Sequence, residues 1–464
     1  MKKLLVRAGM TPYDVVEPGK IILDNLVGDN TGNLIYQYGI FRALTTENQE
    51  LVPNGYRYVG EKYADEINQN YDGYVMPFAD VLRPDMKKFF ERITRLIRKL
   101  KVPVVVVGIG LRAPFHEDLK HGFSFDAEAK AFLKAVLDHS AIIGVRGEIT
   151  GAYLKSLGFR EEIDYTVIGC PSMYTFGKDI KVRDLDLQQT SRICVNASVV
   201  APNKVNLFLR KAMREIPDHY FLPQRLLEMK MVFAGEPYVH QQKHAEDYPN
   251  DMLDSLYKEN RVRCFGNAVS WFEFLRNSDF SIGGRMHGNI AAILSGTPAL
   301  LIPHDARMKE LTEFHHIPHI WAKDLKPDAD IFEIANNMDF RSILKDHDKH
   351  FEAYVKFLEK NGLEHIFKDG NNPEISPLDQ KIKEAHVPYS EIDTVYGHTA
   401  EERFLRTQSF YVAREAMENE LKDMIDKTKI ELAHRNNLLK SKPVNYAVKI
   451  RELLGKSTGV PFSE

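Results

Sequence analysis

Two successive stretches of the chain alternate short β-rich runs with segments of helical period, and this pattern restricts the fold more than any other feature. The first stretch extends from Gly19 to about Phe176, and the second begins near Ser191. Such alternation is typical of βαβ units, in which helices cover a sheet of parallel strands. We therefore predict an α/β chain of two tandem Rossmann-like, doubly wound domains, an architecture like that of the GT-B glycosyltransferases.

We place the N-terminal domain at residues 1–180 and the C-terminal domain at 190–350. The expected strands of the first domain are KIILDN, PVVVVGIG, AIIGVRG and YTVIGCP, with helices from about Asn33 to Leu44, from Ala127 to Asp138, and ending near Leu157. The continuously apolar run VPVVVVGIG predicts a central strand that is buried on both faces. The expected strands of the second domain are RICVNASVV, MKMVFAG, VRCFGN, DFSIGG and PALLIP.

The residues from 368 to 464 read as a linker followed by a long-helix extension. Turn-forming residues are frequent just beyond Phe367, and Thr399 to about Lys440 then has the pattern of one polar helix. A partial heptad is formed by Met417, Leu421, Met424 and Thr428. Because this apolar seam is short and impure, packing on its own subunit and a homo-oligomer contact are equally compatible with it.

The composition excludes several functional classes. A formal net charge of −3 over 464 residues gives no basic surface of the kind that binds nucleic acid. No stretch approaches the ~20 apolar residues that span a bilayer, and MKKLLVRAGM turns polar too early for a signal peptide, so we expect a cytoplasmic protein. The cysteines, Cys170, Cys194 and Cys264, are odd in number and far apart, which predicts buried free thiols rather than a disulfide framework or a zinc motif.

The segment SIGGRMHGN, residues 281–289, combines the features of an anion site. An apolar strand ends in a Gly-Gly pair, and a helix is expected to begin near Gly288 with Asn289 close to its start. Such a helix start offers unpaired N–H groups and the positive end of the helix dipole. Arg285 adds a planar fork of donors, and His287 can carry a proton. We predict that Arg285, Gly288 and Asn289 bind substrate and that His287 is the catalytic acid or base.

Further candidates follow the strands of both domains. His304 and Arg307 lie beyond PALLIP, whose end faces the same crevice as Arg285 in a doubly wound domain. Substrate binding and a solvated or capping role are equally compatible with both residues. Arg112 and Arg146 each follow an apolar strand of the first domain, and we interpret both as additional anion contacts with substrate.

A polar turn and a loop histidine complete the set. Asn30 and Asn33 lie in the turn GDNTGN, where helix capping and acceptor binding are equally compatible. His116 lies in the loop after VVVVGIG and is a second catalytic candidate, although a solvated loop histidine is the commoner occurrence. No Asp-X-Asp pair and no His/Cys cluster indicates a metal site.

The segment GGRMHGNIAAILSGTPALLIP resembles the C-terminal hallmark of the polysaccharide pyruvyl transferase family, whose Arg-X-His motif falls on Arg285, Met286 and His287. Three segments of the first domain also resemble the family: NLVGDNTGNLIYQYGIFRAL, VVVVGIGLRAP and VRGEITGAYLKSLGF. The resemblance extends from about Ile21 to Ile320. Family members often read Gly-Asp-Pro where this chain has Gly169-Cys170-Pro171, which implies a different substrate if that aspartate contacts ligand.

The resemblance implies a transferase that moves pyruvate from phosphoenolpyruvate to two hydroxyls of a sugar, as a cyclic ketal, in exopolysaccharide or cell-surface glycan synthesis. Phosphoenolpyruvate is then the donor substrate, and no cofactor is required. The acceptor is a sugar or a lipid-linked oligosaccharide, and the latter would bring the protein into peripheral contact with a membrane.

Two other functions remain open on the sequence. In a GT-B glycosyltransferase, the GGRMHG turn would hold the diphosphate of a nucleotide sugar. In a non-catalytic assembly protein of the same fold, the long C-terminal helix would be the working surface. The presence of both Arg285 and His287 weighs against the second of these.

Overall fold

The computed structural model describes residues 1–113, 119–237, 247–389 and 391–440. Met1–Ala400 forms one compact unit and Glu401–Glu464 forms another. The strands are β1 (Lys2–Val6), β2 (Gln49–Pro53), β3 (Gly73–Pro77), β4 (Val104–Val107), β5 (Ile143–Val145), β6 (Tyr165–Val167), β7 (Ile193–Asn196), β8 (His219–Phe221), β9 (Arg263–Cys264), β10 (Phe280–Gly283), β11 (Ala299–Leu301) and β12 (Ile392–Asp393). The helices are α1 (Pro18–Leu23), α2 (Gly32–Leu44), α3 (Ala64–Asn70), α4 (Lys87–Ile97), α5 (Asp126–Leu137), α6 (Glu148–Ser156), α7 (Asn203–Glu215), α8 (Leu226–Ala234), α9 (Ser255–Lys258), α10 (Ala268–Arg276), α11 (Met286–Leu294), α12 (Ala306–Phe314), α13 (Ile331–Asn336), α14 (His347–Lys360), α15 (Pro377–Glu384) and α16 (Ala400–Lys440).

The part of the compact unit that contains β1 to β6 is called the first half below. It contains a parallel sheet with the strand order β2-β1-β3-β4. An isolated bridge between Ile109 and Val145 continues this sheet to the parallel pair β5-β6. Strand β4 therefore lies inside the row, and each of its four valines is at most 2% exposed. The sequence prediction of a central strand buried on both faces is confirmed for this run.

The part that contains β7 to β12 is called the second half. It contains the parallel sheet β11-β10-β7-β8, and β9 pairs with β12 in antiparallel orientation. Helices connect the strands of both sheets, as parallel pairing requires. The fold class predicted from the sequence is thus confirmed: α/β, with two tandem Rossmann-like units and a C-terminal helix.

Two segments predicted as strands are helices. KIILDN lies largely in α1, which Pro18 starts at a first helical position, and the first strand is instead KKLLV at the N-terminus. MKMVFAG lies in α8, which ends at Gly235 in the left-handed conformation typical of a helix C-terminus. Both segments are rich in buried apolar residues, and short apolar runs do not separate helix from strand.

The compact unit extends to Ala400, past the boundary at residue 368 that the sequence predicts. Helix α14 packs against the first half, where the Asn361 amide oxygen accepts hydrogen bonds from the Ala141 and Ile142 N–H groups at 3.1 and 3.3 Å. Farther along, Asp379 forms a 3.2 Å ion pair with Arg42, whose side chain is 1% exposed. The segment after residue 368 is therefore part of the folded body.

The long polar helix predicted from Thr399 to about Lys440 is confirmed as α16, which contains 41 residues. Two residues of its partial heptad are well exposed, Leu421 at 45% and Met424 at 58%. No helix in the described part of the chain is long and apolar enough to cross a membrane.

Candidate functional site

The turn after β10 requires glycine. Gly283 has a φ of +152°, and a β-carbon there would lie 1.7 Å from the Asn196 carbonyl oxygen. The Gly284 N–H donates to that same oxygen at 2.8 Å. Strand β10 therefore lies directly against β7 and turns sharply, so that α11 begins immediately after Arg285, its N-cap residue.

Asn289, which the sequence predicts as a substrate contact, is 1% exposed and holds this turn together. Its amide nitrogen donates to the Gly283 and Arg285 carbonyl oxygens, each at 3.1 Å. Its amide oxygen accepts from Asn196 Nδ2 at 3.1 Å, and the Asn196 oxygen in turn accepts from the Arg285 N–H at 2.9 Å. Asn289 thus positions Arg285 rather than extending into the cleft.

The guanidinium of Arg285 is anchored on one side only. Its Nε donates to the Ala197 carbonyl oxygen at 2.9 Å. Its Nη2 is buried and has no hydrogen-bond partner among the described residues. This leaves a fixed, positively charged donor at the start of α11.

The imidazole of His287 lies where two helix N-termini meet. A β-carbon at Gly32, the first residue of α2, would lie only 3.2 Å from His287 Nδ1. On its other edge, His287 Nε2 is 3.8 Å from Cys170 Sγ, and the ring centroid is 5.8 Å from that of Tyr36. The N-terminal turns of α2 and α11 therefore both lie beside this ring, and each carries the positive end of a helix dipole.

Burial, together with the charges of Arg146 and Arg307, lowers the pKa of His287 well below its usual value, and Asp80 opposes this only in part. The imidazole is therefore neutral in the free protein at pH 7. A bound anion would counteract the two cations and raise the pKa of His287 again.

Arg146 follows β5, as the sequence predicts, and is 1% exposed. Its Nε donates to the Gly108 carbonyl oxygen at 2.8 Å, and its guanidinium lies 4.7 Å above the Tyr36 ring. Its Nη2 has no partner within the described part of the chain. Arg146 is thus a second fixed cation with an unused donor.

Arg307 connects the two halves through Asp80, which follows β3. Arg307 Nη1 lies 3.0 Å from Asp80, and its Nη2 lies 3.3 Å from Asp305. Burial would raise the pKa of Asp80, but the nearby cations, Arg307 and Arg83 foremost, hold it well below its usual range. Asp80 is therefore ionised and balances the positive charge of the site.

Four buried donor atoms that lack acceptors among the described residues belong either to cations whose charge lowers the pKa of His287 or to residues at or against the start of α11. They are Arg146 Nη2, Gln224 Nε2, Arg285 Nη2 and Arg307 Nε. Gln224 lies against the start of α11, because a β-carbon at Gly288 would be 2.4 Å from Gln224 Nε2. Unpartnered buried donors are costly in a folded protein, so their concentration here indicates a site for an anionic ligand.

A cavity of about 360 Å³, which we call the cleft-mouth pocket, opens between the two halves close to this cluster. Its wall contains Arg83, Pro84, Asp85, Arg112 and Ala113 from the first half and Val200, His304 and Asp305 from the second. The predicted contacts Arg112 and His304 therefore come together in the structure.

Asn30 and Asn33 make hydrogen bonds within their own turn. Asn30 Oδ1 accepts from the Gly32 N–H at 2.9 Å, and Asn33 Nδ2 donates to the Val27 carbonyl oxygen at 2.9 Å. The turn also contacts the second half, where the Thr31 N–H donates to the Gln224 carbonyl oxygen at 2.8 Å. The two asparagines thus position the start of α2. His116 lies outside the described residues.

A profile of the polysaccharide pyruvyl transferase family matches residues 49–306, more than half of the chain. The chain belongs to the polysaccharide pyruvyl transferase family. The match contains Arg285, His287, Arg146 and Asp80, whereas the turn with Asn30 and the helix α16 lie outside it. A comparison with curated protein sequences gives no significant match.

Solved structures with related backbones share little sequence with this pyruvyl transferase family member. UDP-GlcNAc 2-epimerase from Neisseria meningitidis is 11% identical, over 83% of this chain and 99% of the epimerase, with a TM-score of 0.37. The corresponding enzyme from Methanocaldococcus jannaschii is 12% identical over 77% and 99%, with a TM-score of 0.37. Sucrose-phosphate synthase from Thermosynechococcus elongatus is 12% identical over 78% and 98%, with a TM-score of 0.38.

Cys170 stands where members of this family often carry aspartate, and it contacts His287. Its thiol lies 2.9 Å from Ser172 Oγ, and its N–H donates to His315 Nε2 at 2.8 Å. Among the described residues, all three cysteines are buried and none forms a disulfide, as predicted. The residue at the departure from the family pattern thus touches the candidate catalytic histidine directly.

Sequence reasoning missed two residues of this site, Asp80 and Gln224, and identified Cys170 only as a departure from the family pattern. Asp80 follows the buried strand β3, so the rule that found Arg112 and Arg146 would have found it had that strand been recognised. Gln224 stands just after β8, which was also missed. The contact of Cys170 with His287 joins residues 117 positions apart, and no local pattern indicates it.

Proposed function

We propose that this protein transfers pyruvate from phosphoenolpyruvate to two hydroxyls of a sugar, forming a cyclic ketal during the synthesis of an exopolysaccharide or a cell-surface glycan. The acceptor in this proposal is a sugar or a lipid-linked oligosaccharide. Family membership supports a transferase, and the geometry beside His287 supports the choice of donor.

The observation that carries the proposal is the set of unpartnered buried donors on Arg146, Gln224, Arg285 and Arg307. Phosphoenolpyruvate bears a phosphate and a carboxylate, which together offer several acceptor oxygens to guanidinium forks and helix N-termini. Arg285 and Gln224 lie at or against the start of α11, whereas Arg146 and Arg307 are the cations whose charge lowers the pKa of His287. Two groups of donors suit a ligand with two anionic groups.

The reaction needs no redox step. The oxygen of the first hydroxyl bonds to the central carbon of the enol while a proton adds to the methylene carbon, which becomes a methyl group. The second hydroxyl oxygen then displaces phosphate from the same carbon. The proton lost by the first hydroxyl is thus balanced by the proton added to the methylene carbon. The proton lost by the second hydroxyl leaves with the released phosphate.

His287 is the residue suited to deliver the proton to carbon. Its imidazole is neutral in the free protein, and the negative charge of a bound phosphate would raise its pKa and favour the imidazolium. Binding of phosphoenolpyruvate would thus favour the protonated form of His287, which is the acid that the reaction requires. Cys170 and Tyr36 contact the ring and hold its orientation.

The test is a thermal-shift titration of the full chain with phosphoenolpyruvate, inorganic phosphate and a nucleotide sugar. A ligand that binds the native state alone raises the melting temperature. We expect phosphoenolpyruvate to produce a larger shift than phosphate, and the nucleotide sugar to produce none. A shift with the nucleotide sugar alone would replace the proposal by a glycosyltransferase, and no shift with any of the three would favour an assembly protein.

A further inference from the structure

We propose that the cleft-mouth pocket is the acceptor subsite and that it takes a sugar carrying an acidic group, which Arg112 binds. This inference rests on the proposed function and adds the chemical class of its second substrate. It is carried by the position of the pocket, by the pairing of its charged residues and by the atoms that line its floor.

The pocket lies where an acceptor must enter. Its lining residues come from loops that follow β3, β4, β7 and β11, so it opens at the carboxyl ends of parallel strands in both halves, where such folds bind ligands. Its wall also adjoins the donor cluster, because Asp305 pairs with Arg307 at 3.3 Å. Its volume of about 360 Å³ is in the range of sites for small ligands.

Among the described residues that line the pocket, one cation, Arg112, has no ion pair, and its charge acts on the nearby Asp80 only by helping to lower the pKa of that carboxyl. Arg83 lies 3.5 Å from Asp80 and 3.1 Å from Asp85. Asp305 accepts from the Met308 N–H at 2.8 Å in addition to its contact with Arg307.

Arg112 is exposed, and its guanidinium makes no hydrogen bond or ion pair within the described ranges. Its backbone is nevertheless fixed, because the Arg112 N–H donates to the Leu82 carbonyl oxygen at 3.1 Å. A cation at the mouth of a cleft, where the described carboxylates Asp80, Asp85 and Asp305 already pair with other arginines, is suited to an anionic group on an incoming ligand.

The floor of the pocket is suited to the hydroxyls and the ring of a sugar. His304 Nδ1 lies 3.4 Å from the Ile302 carbonyl oxygen, and in the tautomer that donates to this oxygen, Nε2 keeps a lone pair for a hydroxyl proton. Burial lowers the pKa of His304, with a further contribution from the charge of Arg307, and Asp305 opposes this only in part, so the ring is neutral at pH 7. Val200, Pro84 and Ala113 add apolar surface against which a pyranose ring can pack.

The experiment compares three probes by ligand-observed NMR: methyl β-D-glucopyranoside, methyl β-D-glucopyranosiduronate and glucose 1-phosphate. Each is titrated into the full chain with and without phosphoenolpyruvate. We expect at least one acidic probe to bind about tenfold more tightly than the neutral glucoside, as one charge-assisted contact provides. The carboxylate and phosphate probes distinguish an acidic sugar ring from a phosphate linkage.

The variant Arg112→Gln should abolish this preference and leave the affinity for phosphoenolpyruvate unchanged. Arg92→Gln, at an exposed position of α4, is the matched control and should keep the preference. Equal binding of all three probes, no binding of any, or a preference that survives Arg112→Gln would overturn the proposal. A loss of phosphoenolpyruvate affinity in Arg112→Gln would also overturn it, because Arg112 would then belong to the donor site.

The titrations also distinguish a wrong donor from a wrong acceptor subsite. If phosphoenolpyruvate does not bind the wild-type chain, the proposed function is wrong, whereas the probe titrations without phosphoenolpyruvate still report on the pocket itself.

Discussion

Arg285 Nε donates a hydrogen bond to the Ala197 carbonyl oxygen, whereas Arg285 Nη2 has no partner among the described residues. We expect Arg285→Ala to weaken phosphoenolpyruvate binding by about 2 to 5 kcal/mol, the cost of removing one partner of a desolvated charge pair. Arg285→Lys should restore little, because an ammonium cannot make the forked contact. Calorimetric titration of each variant measures the effect.

The matched control for Arg285 is Arg214→Ala, an exposed position on α7 in the same half of the molecule. It should bind phosphoenolpyruvate as the wild type does. A folded Arg285→Ala variant with wild-type affinity would remove Arg285 from the donor site.

His287 should take up a proton when the donor binds. In the free protein, the pKa of His287 is held well below its usual value by burial and by the charges of Arg146 and Arg307. The negative charge of a bound phosphate raises this pKa. Between those two pKa values the complex holds more protons than the free protein, so the affinity for phosphoenolpyruvate falls as the pH rises through the bound-state pKa. Calorimetry at one pH in two buffers of different ionisation enthalpy measures the number of protons taken up.

The variant His287→Asn separates this uptake from the titration of phosphoenolpyruvate itself. It should bind the donor but lose the extra proton, and with a competent acceptor it should lose roughly 10² to 10⁴ in turnover. An identical proton uptake in variant and wild type would assign the proton to another group.

The residues of the site were predictable from the sequence where a local pattern marks them. Arg285 and His287 stand at a Gly-Gly turn, and Arg146 follows a strand that was recognised. Asn289 shows the limit of this reasoning. Its position at a helix start suggests ligand binding, but its side-chain amide already forms hydrogen bonds with Asn196, Gly283 and Arg285. Which polar groups are already satisfied depends on contacts between distant segments, and those follow only from the fold.

Among the elements, α6 and α12 are joined by one buried threonine. The Thr150 hydroxyl donates to Glu310 at 2.8 Å and accepts from the Leu111 N–H at 2.9 Å. Thr150→Val keeps the shape but leaves that N–H and a carboxylate oxygen without this partner, which should lower the free energy of unfolding by about 2 to 4 kcal/mol. Denaturant unfolding measures the change.

Thr150→Ser retains the hydroxyl and is the control for this pair of helices. It should lose less stability than Thr150→Val. If both variants are equally destabilised, the methyl group rather than the hydrogen bonds fixes α6 against α12.

The elements predicted best are the helices with clear periodicity and an unambiguous start. Helix α2 and helix α5 fall close to their expected positions, and α16 begins within one residue of its prediction. The runs in α1 and α8 resemble strands because their apolar residues are consecutive, but Pro18 at the start of α1 and Gly235 at the end of α8 are signals of helix ends. The sequence prediction does not include strand β1, the run KKLLV at the N-terminus.

For the whole molecule, the position of the boundary before α16 makes a direct prediction about truncation. A chain ending at Phe367 loses Asp379 and leaves the buried guanidinium of Arg42 without its ion pair, which typically costs about 3 to 5 kcal/mol. A chain ending at Thr399 keeps this contact. We expect the longer fragment to melt close to the full chain and the shorter one to melt at a distinctly lower temperature. Equal melting of the two fragments would show that residues 368–399 do not contribute to the body.

The compact unit should also be destabilised by mild acid, because many of its histidines are held neutral. Burial is the first cause in each case, and the lowered pKa values belong to His219, His287, His304, His315, His347, His350 and His365. A histidine with a lowered pKa binds a proton more readily in the unfolded chain, so its contribution to stability is present above the unfolded pKa of ~6.5 and is lost as the pH falls below it. The pKa of Glu310 is raised by burial to about 7, so this one group favours the folded state at acid pH and opposes the histidines without outweighing them.

Denaturant unfolding at pH 7.5, 6.5 and 5.5 should therefore give a free energy of unfolding that decreases steadily toward acid. Each histidine whose folded pKa lies well below this window contributes a slope of up to about 1.4 kcal/mol per pH unit below pH ~6.5. His315 is such a group, since it is 2% exposed and its Nε2 accepts from the Cys170 N–H. His315→Gln can still accept that bond but cannot titrate, so the slope should become shallower by close to one proton. A stability that stays constant from pH 7.5 to 5.5, or a slope unchanged in His315→Gln, would mean that these histidines open to solvent before the chain unfolds.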